Sequence, residues 1–249
     1  MGTNPQIKAL VSAAFPRIDF EEITKNRATK DIIVLDDSLR HDGNGIEYIS
    51  DFSGENTDEI GVETIFDRYT EGLQKLEGQG HINLTALAYW KTSSYKDGNH
   101  IKEALDDNPQ TFWQSDGSQP HYIDICFSKR VEVIQLAFFF SLLIDESYTP
   151  QVIKVYAGHS LSDATLYKTL EIRNVNGWVA LTFEDNRPND KLLKCQFLRL
   201  TIPVNHENGK DTHLRGVRLY SPSSKTYMDD SRIMECFSTN SIIFDCSIR

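Results

Sequence analysis

The densest set of chemically capable side chains lies in one short stretch. Asn205, His206, Asn208, Asp211, Thr212 and His213 fall within nine positions around Gly209, and Arg215 follows two residues later. Amides both donate and accept, imidazoles carry protons or metals near neutral pH, and carboxylates accept from N–H groups. Such a set can hold a polar chain or an ion. Asn205 suits a peptide backbone, because its amide offers both halves of a backbone-like hydrogen-bond pair. Arg215 could take a carboxylate through two parallel N–H bonds. A metal reading of His206, Asp211 and His213 ranks well below peptide binding, since their one-loop spacing is not that of zinc ligands. No metal or other cofactor is expected. Catalysis needs a nucleophile, or a paired acid and base, held in a pocket. Nothing else in the chain completes such a set, so no enzymatic activity is expected.

Three other sites carry chemistry of the same recognising kind. Ser147 and Tyr148, in the string Asp145 to Pro150, offer a hydroxyl and a rigid amphipathic ring suited to an extended peptide, although a solvated turn would use the same residues. The turn Asp116-Gly117-Ser118 can present donors and acceptors at one end of a domain. For Asp116 a binding role and a simple self-bonding turn stand about level, and nearby Trp113 reads as a core or rim anchor. At the far end, Ile248 and Arg249 combine an aliphatic side chain, a guanidinium fork and a terminal carboxylate. That combination suits capture in a groove, against the default of a frayed terminus.

The elements that must position these residues follow from periodicity. Ile7, Leu10, Val11 and Ala14 have the spacing of one helix face behind Asn4-Pro5. Residues 31–56 read as loop-rich, with one candidate strand at Ile32-Ile33-Val34-Leu35. A better helix follows, with Asn56 and Glu59 as a capping box, a stripe of Val62, Ile65, Phe66, Tyr69, Leu73 and Leu76, and Gly78 as its end. From about residue 80 the period becomes two. Strands are expected at Tyr122–Phe127, Val131–Phe140, Val152–Ala157, Trp178–Phe183, Phe197–Ile202 and Leu214–Tyr220. The expected fold is all-β, an antiparallel β-sandwich or jelly roll, with N-terminal helices packed outside or at one end. Three parts follow: an N-terminal extension with two helices over 1–80, a β-domain over 81–222, and a C-terminal tail over 223–249 ending in Ile-Arg.

Bulk properties narrow the partners. The chain has 249 residues, 39% hydrophobic and 10% aromatic, and a formal net charge of −10. Such an acidic chain disfavours binding to nucleic acid and to anionic membranes. No run of roughly 20 apolar residues or signal-peptide pattern stands out. Cys126, Cys195, Cys236 and Cys246 are scattered without a C-x-x-C pair and read as free buried thiols in a reducing compartment.

Three strings, Asp107 to His121, Asp145 to Pro150 and Asn205 to Arg215, together closely resemble the Doc domain, a jelly-roll module of the galactose-binding-like superfamily. The resemblance covers about residues 83–220. The Ile248-Arg249 ending is similar to that of the Doc-domain subunits of the anaphase-promoting complex, the cyclosome. The resemblance implies a non-catalytic subunit of that ubiquitin ligase, acting in substrate recognition and processivity. It implies destruction-box degrons held jointly with a β-propeller coactivator, through Asn205, His206, Asp211 and His213 with Ser147, Tyr148 and Asp116. It further implies docking of Ile248 and Arg249 on a tetratricopeptide-repeat subunit, other complex subunits as partners, and a place in the nucleus and cytoplasm. The alternative is a carbohydrate-binding module of the same superfamily. Sugar sites want exposed aromatic rings, and the candidate loops offer mainly Tyr148.

Overall fold

A computed structural model describes residues 32–40, 45–50, 61–183, 186 and 191–223. Within them the alternating segments build three sheets. Strands β1 (Ile32–Asp36), β2 (Ile46–Tyr48), β3 (Ile82–Asn83), β4 (Ala88–Thr92), β5 (Trp113–Gln114), β6 (His121–Val133) and β7 (Gln135–Ser141) come first in the chain. They are followed by β8 (Pro150–Gly158), β9 (Thr165–Asn174), β10 (Asn176–Thr182), β11 (Leu193–Asn205), β12 (His213–Leu214) and β13 (Gly216–Ser221). One sheet has six strands in the order β1-β9-β8-β11-β6-β4, a second has five in the order β2-β10-β7-β13-β3, and β12 pairs with β5. The pairings are antiparallel except that of β1 with β9.

Alternation decides which residues fill the sandwich. Ile123, Ile125 and Phe127 of β6, with Leu198, Leu200 and Ile202 of β11, meet Leu136, Phe138 and Phe140 of β7 and Val179 and Leu181 of β10 in one core cluster. β7 is buried at every position. Its odd residues explain why: Ala137 and Phe139 point the other way, into a second cluster beneath a helix. A strand covered on both faces loses its polar alternation and reads as a continuous apolar run.

That helix, α1 (Val62–Gly78), buries Ile65, Tyr69, Gly72, Leu73 and Leu76 along one stripe. Its central partner is Trp178. A Cβ on Gly72 would meet Trp178 Cδ1 at 2.5 Å, and one on Gly216 would meet Trp178 Cη2 at 2.5 Å. The indole therefore fits between helix and strand only because both neighbours lack side chains. Its Nε1 donates to the Tyr69 carbonyl at 2.9 Å, so the polar edge is also satisfied.

Several expectations need adjusting. The run Val131–Phe140 is two strands, because the chain leaves the six-stranded sheet after Val133 and enters the five-stranded sheet at Gln135. The helix stripe extends less far than expected, since Val62 is 53% exposed. Gly61 is the N-cap of α1 and offers no side-chain bond, while Asn56 and Glu59 lie outside the described residues. The earlier helix at 7–14 and the whole of 224–249 also lie outside them. Among the described residues of 1–80, β1 is an edge strand of one sheet and β2 of the other.

Candidate recognition site at the loop end

The three polar strings are far apart in sequence, and the fold brings them to one end of the sandwich. The β7–β8 connection holds a one-turn helix α2 (Leu142–Asp145) and a 3-10 turn over Glu146–Tyr148. The β11–β12 connection opens with a second 3-10 turn over His206–Asn208. They touch directly: the His206 N–H donates to the Thr149 carbonyl at 3.0 Å. Gly209 lies so close to Ser147 that any side chain there would collide with the Ser147 carbonyl. The third string joins through Ser115, whose N–H donates to the Thr212 carbonyl at 3.0 Å and whose hydroxyl accepts from the Thr212 N–H at 2.8 Å. Gln119 Nε2 also reaches the Gly209 carbonyl, at 2.8 Å.

Asn205 sits beneath this surface. It is 0% exposed, and its Nδ2 donates to the carbonyls of Gly209 at 3.2 Å and Asp211 at 2.8 Å. Its Oδ1 accepts from the Thr212 hydroxyl at 2.8 Å. The backbone-like amide expected to meet a ligand thus meets this chain's own backbone and shapes the loop. The shaping is needed, because Glu207 and Asn208 hold φ of 51° and 59°. Left-handed conformations in successive non-glycine residues persist only where neighbours enforce them. Glu146, with φ of 46°, repeats the theme in the facing loop.

His213 occupies the centre. Its ring stacks on Tyr148 with centroids 4.1 Å apart and planes at 9°, and Phe112 lies on it at 4.2 Å and 32°. Nδ1 lies 3.1 Å from Asp145 Oδ1 and is assigned as the donor, which leaves buried Nε2 with no protein partner. Asp145 is the residue the sequence reading missed. It is 5% exposed and takes Arg215 in a two-bond clamp, Nε to Oδ2 at 2.8 Å and Nη2 to Oδ1 at 2.7 Å. The carboxylate expected to meet Arg215 is therefore internal. Arg215 is further fixed by the Pro109 carbonyl at 3.1 Å and by the Phe112 ring at 4.9 Å. Asp145 and Phe112 belong to the strings already singled out, but only their partners reveal their role.

What faces outward is narrower than the sequence suggests. Tyr148 is 40% exposed, Asp116 is exposed, and Ser147, His206 and Asp211 are half-buried. His206 Nε2 is a further buried nitrogen without a partner. Asp116 sits beside this loop, its N–H held by the Ser94 hydroxyl at 3.0 Å. With Gly117 to Pro120 it borders a groove of about 650 Å3 floored by Tyr122, Arg199 and Thr201. Arg199 is clamped to Asp124 at 2.6 and 2.8 Å and lies over Tyr122 at 4.2 Å, so its charge is already matched. No hydroxyl or thiol bonds the free nitrogen of His206 or His213. Among the described residues no group of three or more metal-ligating side chains is placed to hold a metal.

An end built from pre-shaped loops on a rigid sandwich is where binding is commonly carried. The family model for anaphase-promoting complex, subunit 10 (APC10), matches residues 67–245, more than half of the chain. The chain belongs to this APC10 family. Among relatives, the Saccharomyces cerevisiae anaphase-promoting complex subunit DOC1 is 51% identical over 220 residues, covering 88% of each chain. Human anaphase-promoting complex subunit 10 is 35% identical over 150 residues, 60% of this chain and 80% of that one. Among solved structures, the CBM32-1, CBM32-2 and M60 catalytic domains of Clostridium perfringens ZmpB match with a TM-score of 0.50 at 16% identity. That match spans 68% of this chain and 17% of the other, and it shows a shared jelly-roll fold. In this APC10 member the loop end stands on the same sandwich.

Proposed function

We propose that this chain is a non-catalytic subunit of the anaphase-promoting complex that recognises substrates through its loop end. The convergence of Asp116, Ser147, Tyr148, His206, Asp211 and His213 on one preorganised surface carries the reading. Rigid loops lose little entropy on binding, which favours capture of an extended peptide. The peptide is a destruction-box degron shared with a β-propeller coactivator. Two weak contacts on one peptide reinforce each other by raising effective concentration, so release slows and more ubiquitins are added per encounter. Ile248 and Arg249 dock the chain on a tetratricopeptide-repeat subunit, and the complex works in nucleus and cytoplasm. The carbohydrate reading is weaker, because its support is a fold likeness at 16% identity against family membership.

The test is a ubiquitination assay with reconstituted complex carrying Tyr148→Ala, His206→Ala and Asp211→Ala together. This set leaves the buried Asn205, Asp145 and Arg215 in place. Shorter ubiquitin chains are expected with assembly intact, from substrate release faster by about tenfold, roughly 1.4 kcal/mol. Unchanged chain lengths overturn the reading. Independently, extending the chain beyond Arg249 is expected to lower recovery of the repeat subunit in a pull-down.

A further inference from the structure

The loop end is not the only built polar site. At the opposite end of β7, Gln135 begins the strand, roughly 20 Å from Ser141 at about 3.4 Å per residue. There a socket of about 160 Å3 is lined by Glu47, His81, Ile134, Gln135, Thr182 and Lys191. It lies on the helix-covered face: Gln135 continues the outward row of Ala137 and Phe139, Thr182 pairs with Gln135, and Glu47 pairs with Ala180.

One of its buried acceptors is unmet. Gln135 is 2% exposed, donates from Nε2 to Glu47 Oε2 at 3.0 Å, and leaves Oε1 buried without a partner. Glu47 Oε1 accepts from Gln79 Nε2 at 3.2 Å, and Gln79 is the C-cap of α1. The socket therefore sits beside the partially negative end of a 17-residue helix, where cations are favoured. His81 Nδ1 is a further buried nitrogen with no partner. Lys191 also lines the socket and is engaged in an interaction of its own.

A carboxylate and an orphaned amide oxygen lining one small cavity, with a helix C-terminus behind the carboxylate, match a cationic group that donates several hydrogen bonds. We propose that this socket receives a basic side chain, arginine or lysine, presented by a neighbouring protein chain. The volume admits one side-chain head and no folded element. The site is independent of the loop end, so its fate does not decide the degron reading.

The experiment is an NMR titration of the full chain with Nα-acetyl-arginine N-methylamide, against the neutral citrulline analogue and inorganic phosphate. Expected are saturable shifts at the Gln135 side-chain amide and at His81 with the arginine probe alone. Glu47→Gln, which keeps the shape, is expected to weaken binding by about tenfold, roughly the worth of one charge-assisted bond. Gln135→Met is expected to weaken it, read at His81, while the loop-end resonances stay where they are in the unaltered chain. Shifts of equal size with citrulline, none with arginine, or a response to phosphate that Lys191→Ala abolishes would each overturn the proposal.

Discussion

Two regions of the molecule are both buried and both held by an aromatic ring, yet they are built on different forces. Beneath α1, Trp178 packs against Tyr69 and Phe139 at 5.1 and 5.6 Å in an apolar cluster, with the buried Arg218 guanidinium 5.7 Å from its ring. At the loop end His213 lies between Tyr148 and Phe112, but Asp145, Arg215 and Asn205 do the holding. Apolar burial is tolerant of direction and sums with area, so it supports the fold as a whole. A polar network is directional and fails locally when one member is lost. The contrast predicts global damage from one region and local damage from the other.

Trp178→Ala should give the largest effect. Removing a fully buried indole costs about 3–5 kcal/mol, and at roughly 2–4 °C per kcal/mol for a chain of this size Tm should fall by roughly 6–20 °C. Thermal melts and hydrogen exchange should show protection lost across both sheets. Damage confined to α1 would break the contrast.

Asp145→Ala comes next. It strands Arg215, 6% exposed, without its carboxylate, which for a buried pair costs about 3 kcal/mol. Exchange should accelerate at 142–149 and 205–214 while the amides around Trp178 stay protected. Replacing both partners, Asp145→Leu with Arg215→Met, should restore much of the stability but not the loop geometry. Full recovery of the His213–Tyr148 stack in that double variant would show that the aromatic rings suffice.

These two regions were unequally legible in the sequence. The stripe Ile65, Tyr69, Leu73 and Leu76 and the alternation in β6, β8 and β11 are periodic, and periodicity is a local property. The division of Val131–Phe140 between two sheets is not, because an apolar run reads the same whether its cover is a second sheet or a helix. β9 was missed because Lys168 and Thr169 interrupt its apolar residues, although Lys168 is buried in the fold. At the site, the crowding of polar residues at 205–213 was visible. Which of them face water was not. Asn205 is buried and Tyr148 exposed because the β7–β8 and β11–β12 connections meet, and that meeting is set by topology across more than fifty residues.

Asn205→Ala should sharpen the polar half of the comparison at smaller cost. It removes both donors to the loop carbonyls and the acceptor of the Thr212 hydroxyl, about 1–3 kcal/mol where buried groups are left unmatched. Residues 206–211 should lose their left-handed turn. Chemical-shift changes limited to this loop, with Tm lowered by only a few degrees, would fit. An effect as large as that of Trp178→Ala would not.

The smallest effect tests the apolar region by pH. Tyr220 is fully buried in the helix-side cluster, its hydroxyl has no partner, and burial raises its ionisation above the ordinary phenol value. Tyr69 is pushed up to about 12, chiefly by burial. A raised phenol keeps its proton in the folded chain while the unfolded chain releases it near pH 10, so stability falls as pH rises past that value. Each such group contributes at most about 1.4 kcal/mol per pH unit. Tyr220→Phe removes a hydroxyl that bonds nothing, so at pH 7 stability should change by no more than about 0.5 kcal/mol. Between pH 10 and 11 its urea midpoint should fall less steeply than that of the unaltered chain. An identical slope would mean that the phenol already meets water, and the helix-covered face would then be less sealed than its packing implies.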